Sequence, residues 1–528
     1  MGNRPKLFIL LTAVIWIVVA CDYPREQAAR YEAAVYRGNG GEPGTLDPAV
    51  ADDIHAFNIL ADLYEGLVTE SSDGQLIPGT AESWTVSENG IVYEFTLDPD
   101  AKWSDGSSVV ANDFVRSFRR VASPETASSY GYLLEPISGF RESLSGERGP
   151  EDIGVHAVDN RTLRITLSRP SSHLTSLLAM AVAYPEHPSG ADPTITNGAF
   201  VLSSRQPGGA IALTRNPEFR DAASLAIDKV VYLPVVDLQT EFNMYRAGEL
   251  DITNSVPVEF VRQELRNNNT ELRVAPLLAL YYLAYDNQGP PFDSIALRRA
   301  LSMAIDRRQL VELLGRGESP AYSVVPPGTD NYTGTSYEWQ YLGDEDRRAE
   351  ARHWYTEAGY GPDNQLEARL LYDTGDVHEM VALAVQSQWR DTLGAQIELE
   401  KREWAYFLDT RTQRDEWDIM RFAWFGDYNS PMTFLEIFTS ASPQNLAAYT
   451  DPEFDALLSS AGAETSPDLA ALMMGDAESM LISDYPIAPL YFFVSKHLVK
   501  PHIGGFEDNV TDRHPSRFLY VREAIEER

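Results

Sequence analysis

The chain carries few residues arranged as a reactive set. Asp373-Thr374-Gly375 has the form of the triplet used by acid proteases, but that hydrolysis needs two aspartates sharing one proton. No second such triplet occurs, and Asp376 follows at once, as suits a turn. His378-Glu379 lacks the second histidine at zinc-protease spacing, so no metal site follows from it. Cys21 is the sole cysteine of 528 residues, so no thiol nucleophile is left once that cysteine is itself acylated. Serine, histidine and aspartate are all present, without a pattern that joins them. Gly38-Asn39-Gly40-Gly41 is no nucleotide loop, because no Lys-Ser/Thr follows at the right spacing. What remains is charge suited to holding a ligand rather than converting one: Asp427, Arg411 and Arg421. Local sequence alone makes Asp427 a turn residue before Asn429-Ser430-Pro431 and each arginine a solvated charge or helix-end cation.

Cys21 has a different chemistry. Arg4 and Lys6 precede an apolar run, Leu7 to Val19, broken only by Thr12. A spanning helix needs about 20 such residues; this shorter layout is that of a signal peptide over residues 1–20. Val18-Val19-Ala20-Cys21 resembles the bacterial lipobox, in which the cysteine is acylated and becomes the new N-terminus. One acyl chain anchors only reversibly, whereas several hold stably. Asp22 resembles the signal that keeps such lipoproteins on the cytoplasmic membrane, so the expected location is its periplasmic face. Losing Arg4 and Lys6 shifts the net charge from −35 to −37, which argues against nucleic acid or an anionic membrane surface as ligand. The chain that remains is too long for one core and suits two or three domains.

The elements that must position these groups follow from periodicity. Residues 90–98, 161–167 and 228–236 read as strands. Residues 110–122 read as a helix capped by Asn112, and 238–248 as a helix stopped by Gly248. A long helix is expected over 293–314, opened by Asp293. Helix 345–359, strand 366–373, helix 377–394 and strand 395–401 then alternate, which predicts an α/β sheet. No Pro/Gly linker divides the chain, so strands are expected to cross back between lobes.

Several separate segments carry a resemblance. They are Glu42-Pro43-Gly44-Thr45-Leu46-Asp47-Pro48, Ala101-Lys102-Trp103-Ser104-Asp105-Gly106, Asp113-Phe114-Val115, Thr196-Asn197-Gly198-Ala199-Phe200 and Arg215-Asn216-Pro217. Tyr245 to Asp251, Leu297-Arg298-Arg299-Ala300-Leu301, Ala304-Ile305-Asp306-Arg307 and Trp424 to Pro431 follow in order. Together they resemble the family 5 extracellular solute-binding proteins, and the last segment resembles the oligopeptide branch. The resemblance implies an α/β, two-lobed binding protein (type II, family 5) with an extra third domain. It implies lobe I over 22–64, 188–277 and 495–528, the extra domain over 65–187 and lobe II over 278–494. It implies a monomer that binds oligopeptides and delivers them to the membrane subunits of an ABC importer, with no cofactor, metal or catalysis. A murein-peptide binder or peptide-sensing receptor of the same fold is the alternative.

The resemblance also implies a site. A receptor for peptides of many sequences must read their backbone and their two ends. Backbone edges are expected near Asp52 to Ile54 and at Trp424, Phe425 and Gly426. Asp427 would pair with the peptide α-ammonium. Arg411, Arg421 and His378 would meet the carboxylate, for which arginine offers a bidentate fork. A lysine that serves some relatives has no counterpart near 314, and Arg316 would be its substitute. Tyr130, Tyr282, Trp404, Trp424 and Tyr491 would wall the side-chain pockets, with Asn254 facing the ligand. Relatives that carry a cysteine pair have it where this chain has Ala279 and Phe425, and a glutamate of theirs is Ala284 here.

Overall fold

A computed structural model describes residues 34–522, apart from 412, 414 and 415. Cys21, Asp22 and the expected signal peptide over residues 1–20 lie outside the described residues. Three sheets organise the chain. Strand Ala34–Gly38 runs parallel to Lys229–Leu233, which continues antiparallel through Ile211–Arg215 to Phe200–Arg205. A second four-stranded sheet holds Ala81–Val86, Val92–Leu97, Thr162–Thr166 and Val155–Ala157. The largest sheet has six strands, in the order Ser319–Pro320, Ile487–Leu498, Leu272–Tyr285, Ile419–Phe425, Glu367–Asp373 and Gln396–Arg402. No helix among the described residues is long and apolar enough to cross a membrane.

The two longest strands, Leu272–Tyr285 and Ile487–Leu498, pair antiparallel and join two apolar cores. Leu498 packs in a small core with Phe242, Tyr245 and Val261, with Leu272 against it. Leu280 to Tyr285 and Ile487 to Phe492 lie in the main core. The pairing slips between Pro276 and Leu280, where proline has no N–H to give the ladder.

The sequence expectations need two corrections. Helix Ala111–Ala122 is not capped by Asn112: the Asp113 carboxylate folds back to accept the Val110 N–H at 3.0 Å. The long helix over 293–314 is two helices, Ile295–Ala304 and Arg307–Leu314. Ser294 caps the first, and Asp306 restarts the second by accepting the Gln309 N–H at 3.0 Å. A capping aspartate inside an apolar period wins over the period itself.

Several of the shared segments are structural. Trp103 Nε1 donates to Asp113 at 3.0 Å in full burial. Asn197 exchanges two bonds with the backbone of Glu65. A side chain at Gly198 would strike the backbone of Leu63 at 2.5 Å. Arg307, wholly buried, lies over Tyr322 and Trp339 and donates to Pro489 O at 2.7 Å.

Candidate functional site

The site is built at the end of the central strand Ile419–Phe425. Alternation along a strand sends neighbours to opposite faces. Arg421 and Phe425 share a face with Tyr281 and Tyr491 of the adjoining strands, while Phe422 and Tyr282 point the other way. Tyr282 is therefore corrected: it is 1% exposed, between Phe422 and Phe438, and walls nothing open. Tyr281, its neighbour, carries the site contacts. Tyr491 is also fully buried, stacked on Tyr281 at 4.6 Å, with a hydroxyl that has no partner among the described residues.

Beyond the strand, Gly426 N–H reaches Leu278 O at 2.7 Å, and Asp427 follows. Its N–H donates to Thr433 Oγ1 at 3.2 Å. Its carboxylate makes no hydrogen bond or ion pair among the described residues. The turn behind it is fixed by other groups: Asn429 accepts from Asp330 N, and Ser430 Oγ from Met432 N. So Asp427 does not serve as the turn's own ligand. Burial pushes its carboxyl up to about 6, against the opposing pull of Arg513. Tyr130 and Tyr132 lie within its field. Tyr130 packs edge-on against Phe57.

Arg421 and His378 meet, but not as two free cations. Arg421 pairs with Asp373 at 2.8 Å and lies over the Tyr281 ring. Arg421 Nη2 donates to His378 Nε2 at 2.9 Å, and His378 Nδ1 faces the Tyr281 hydroxyl at 3.3 Å. Burial, then Arg421, drives the imidazole down to about 4, so it is neutral. Arg316 does stand close, held by Glu318 at 2.6 Å. Lys496 also approaches Glu318, at 3.9 Å, and donates to Val494 O. The sequence reading missed Lys496, because it lies on a strand some 180 residues away. Among the described residues, three formal cations, Arg421, Arg316 and Lys496, thus meet two carboxylates, Asp373 and Glu318, at ion-pair distance.

The other expected residues are more scattered. Asp52 and Ile54 are exposed, but Ile54 opens helix Ile54–Leu63 under the Asp53 cap, so only the residues before it stay extended. Phe425, at 55% exposure, packs on Phe493, and Trp404, at 47%, on Phe407. Trp424 is half-buried with an unpartnered indole N–H among the described residues. Asn254 is tied by its N–H to buried Glu241 at 2.7 Å. Arg411 follows helix Trp404–Thr410, and no described contact brings it to Arg421. Ala279 and Phe425 are direct cross-strand partners, so the two cysteine positions of the relatives face one another here.

One further cluster has metal-ligand composition. His497, Asp512 and His514 place their ligand atoms within 4.8 Å of one another. A ligating histidine donates through its other nitrogen. His514 Nδ1 instead faces the Asn509 amide at 3.4 Å, whose orientation is fixed by Ser72 O and Arg513 N. The donor set fits a closed hydrogen-bond array rather than an ion.

Among the described residues the strand Ile419–Phe425 thus leads from the Arg421–Asp373 pair to the exposed Phe425 and on to Asp427, whose carboxylate has no hydrogen-bond or ion-pair partner. Residues 75–446 match the model for bacterial extracellular solute-binding proteins, family 5. The periplasmic oligopeptide-binding protein OppA of Escherichia coli is 36% identical over 520 residues, 96% of this chain and 95% of its own. The unliganded open form of the murein tripeptide-binding protein MppA superposes with a TM-score of 0.87 at 34% identity, covering 93% of this chain and 97% of its own. Haemophilus influenzae OppA in complex with the peptide RPPGFSPFR gives 0.72 at 30% identity, covering 93% and 99%. This chain belongs to the family 5 extracellular solute-binding proteins, and its fold is their two-lobed α/β architecture.

Proposed function

We propose that the protein captures short peptides outside the cytoplasm, closes two lobes over them and presents them to the membrane subunits of an ABC importer, without catalysis. Asp427 carries this reading. A carboxylate that burial makes costly, and that no side chain among the described residues pairs with, is matched to an α-ammonium brought by the ligand. The names of the relatives agree, since OppA and MppA are peptide-binding proteins. The better fit to an open, unliganded form agrees with the exposed Phe425, Trp404 and Ile54. A tri- to pentapeptide should raise the melting temperature of the purified protein, and its N-acetylated form should not. Equal stabilisation by both would remove Asp427 from the site.

The domain division follows the same reading. The sheet containing Ala34–Gly38 falls in lobe I, the sheet of Val92–Leu97 in the extra domain over 65–187, and the strands Glu367–Asp373 and Ile419–Phe425 in lobe II over 278–494. Cys21 supplies the lipid anchor at the periplasmic face of the cytoplasmic membrane, and the protein acts as a monomer. Loss of membrane association in Cys21→Ser, read by fractionation, tests the anchor. Murein peptides are the second reading, favoured by the superposition on MppA.

A further inference from the structure

The extra domain over 65–187 touches both lobes, and the two attachments differ in kind. Toward lobe I it is held by charge and backbone. Lys102 pairs with Glu218 at 2.9 Å, Arg120 donates to Asp47 at 2.8 Å, and Ser104 N–H donates to Thr196 O at 2.8 Å. Toward lobe II it makes a narrow seam. Ser172 N–H donates to Gly462 O at 3.0 Å. Gly462 lies in the last turn of helix Pro452–Ala463, where carbonyls lack partners within the helix, so the neighbouring domain completes that helix end. One residue on, the His173 ring lies flat on Tyr428, with centroids 5.0 Å apart and planes 11° from parallel. Each side of the stack is braced by its own domain: the Tyr93 hydroxyl donates to Ser171 O at 3.2 Å, and the Tyr428 hydroxyl donates to Glu436 at 3.0 Å. Gly90, in the turn between strands Ala81–Val86 and Val92–Leu97, closes the seam. A Cβ there would lie 2.9 Å from Thr465 Cγ2 and 3.1 Å from Pro170 Cβ.

One short segment of lobe II links this seam to the strand Leu272–Tyr285, whose ends pack in different apolar cores. Leu278 O accepts the Gly426 N–H at 2.7 Å. Asp427 comes next, then Tyr428 under His173, and Met432 Cε stands 3.5 Å from where a Gly462 Cβ would sit. Two bodies that touch at separated places turn on one another only about the line through those places, and a few residues at element ends absorb such a rotation. A flat ring stack and a single hydrogen bond can pivot, whereas the charged attachment to lobe I fixes its partners. The seam does not wait for ligand: the fold that carries it superposes on open, unliganded MppA at a TM-score of 0.87 and on peptide-bound OppA at 0.72. We propose that the extra domain is a second bearing for lobe closure, on which lobe II turns about a line from Leu278 through Tyr428 to Gly462. Asp427, one residue before Tyr428, stays with that line as the lobes move. This rests on the lobe-closing reading and adds to it the axis and a task for the extra domain.

Hydrogen exchange on the native protein, resolved to single residues by mass spectrometry, tests the bearing directly. The Ser172 amide should be protected without ligand and change by less than about threefold when a tripeptide is added. Protection gained only with peptide would make the contact a product of closure, and protection lost with peptide would make it a restraint that closure breaks; either result overturns the bearing. Gly90→Asn tests the consequence. Asparagine accepts the φ of 67° found there, but its side chain must push the turn off Thr465. Gly106→Asn is the control, at φ 88° in the same domain with open space where its Cβ would be. The Gly90 variant should bind a tripeptide at least about tenfold more weakly than native protein. It should also lose the peptide-induced fall in radius of gyration read by X-ray scattering, while the Gly106 variant keeps both properties. Native behaviour of both variants would overturn the bearing and leave peptide capture standing. Native protein that neither binds tripeptide nor compacts would overturn both. Should Gly90→Asn not fold, as judged by its melting curve, exchange at Ser172 decides alone.

Discussion

Arg421 and Asp373 meet at 2.8 Å across neighbouring parallel strands, with exposures of 8% and 5%. The arginine that resemblance assigns to the ligand's carboxylate is thus already balanced. Breaking a buried pair from one side strands the other charge, at a cost of about 3–5 kcal/mol. Arg421→Ala is therefore expected to lower unfolding free energy by that order in urea titration. Adding Asp373→Asn to it should restore much of the loss. Independent, additive effects of the two changes would show that the pair is not coupled.

Asp427→Asn separates binding from stability. The folded carboxyl lies at about 6 against an ordinary 3.8, so the folded state binds more protons across that interval. Stability therefore falls as pH rises from 3.8 to 6, and the cost persists above 6. Replacing the acid by its neutral isostere should make the ligand-free protein more stable at pH 8, by on the order of 1–2 kcal/mol. The same change should weaken tripeptide binding at least about a hundredfold. A destabilised variant at pH 8 would contradict the assignment.

Peptide affinity should follow the same ionisation. The α-ammonium is charged throughout the acid range, so the titrating partner is Asp427. Dissociation constants measured by calorimetry should be flat above pH 7 and rise by up to about tenfold per pH unit well below 6. A profile flat from pH 7 to 5 would point to another anion.

The C-terminal grip is expected to depend on Lys496. Among the described residues Asp373 and Glu318 pair with Arg421 and Arg316 at 2.8 and 2.6 Å, while Lys496 stands at 3.9 Å from Glu318 and is the least tightly paired of the three cations. A peptide acid should bind native protein better than its amide, and Lys496→Met should shrink that ratio to near one. An unchanged ratio would shift the role to Arg411.

His497 gives a second pH window. Its Nδ1 faces Thr253 O at 2.8 Å and its Nε2 faces Asp512 at 2.8 Å, with His514 on the same carboxylate and Arg37 nearby. Two acceptors require two protons, and although burial opposes the charge, Asp512 carries the folded pKa above the ordinary 6.5. The stabilisation is complete below pH 6.5 and is lost as pH rises through the folded value. Melting temperatures should decline over that alkaline interval, and the decline should be absent in His497→Gln.

The local features were set by local chemistry. The strand–helix alternation after residue 366, the stops at Gly248 and Gly394 and the shared segments could all be read from neighbours in sequence. Even the expectation of crossing strands came from a missing linker. The faces could not be read in this way. Tyr281 and Tyr282 are equivalent in sequence, and only the register with Ala423 and Tyr491 decides which one meets His378. Charge states were equally hidden, because Asp373, His378 and Arg421 look like three separate polar residues until packing removes water and makes one cancel another. Asp427 is the converse case: its type was legible, but whether a partner already held it depended on every element packed around it. Side-chain identity is local, whereas desolvation and pairing belong to the whole fold.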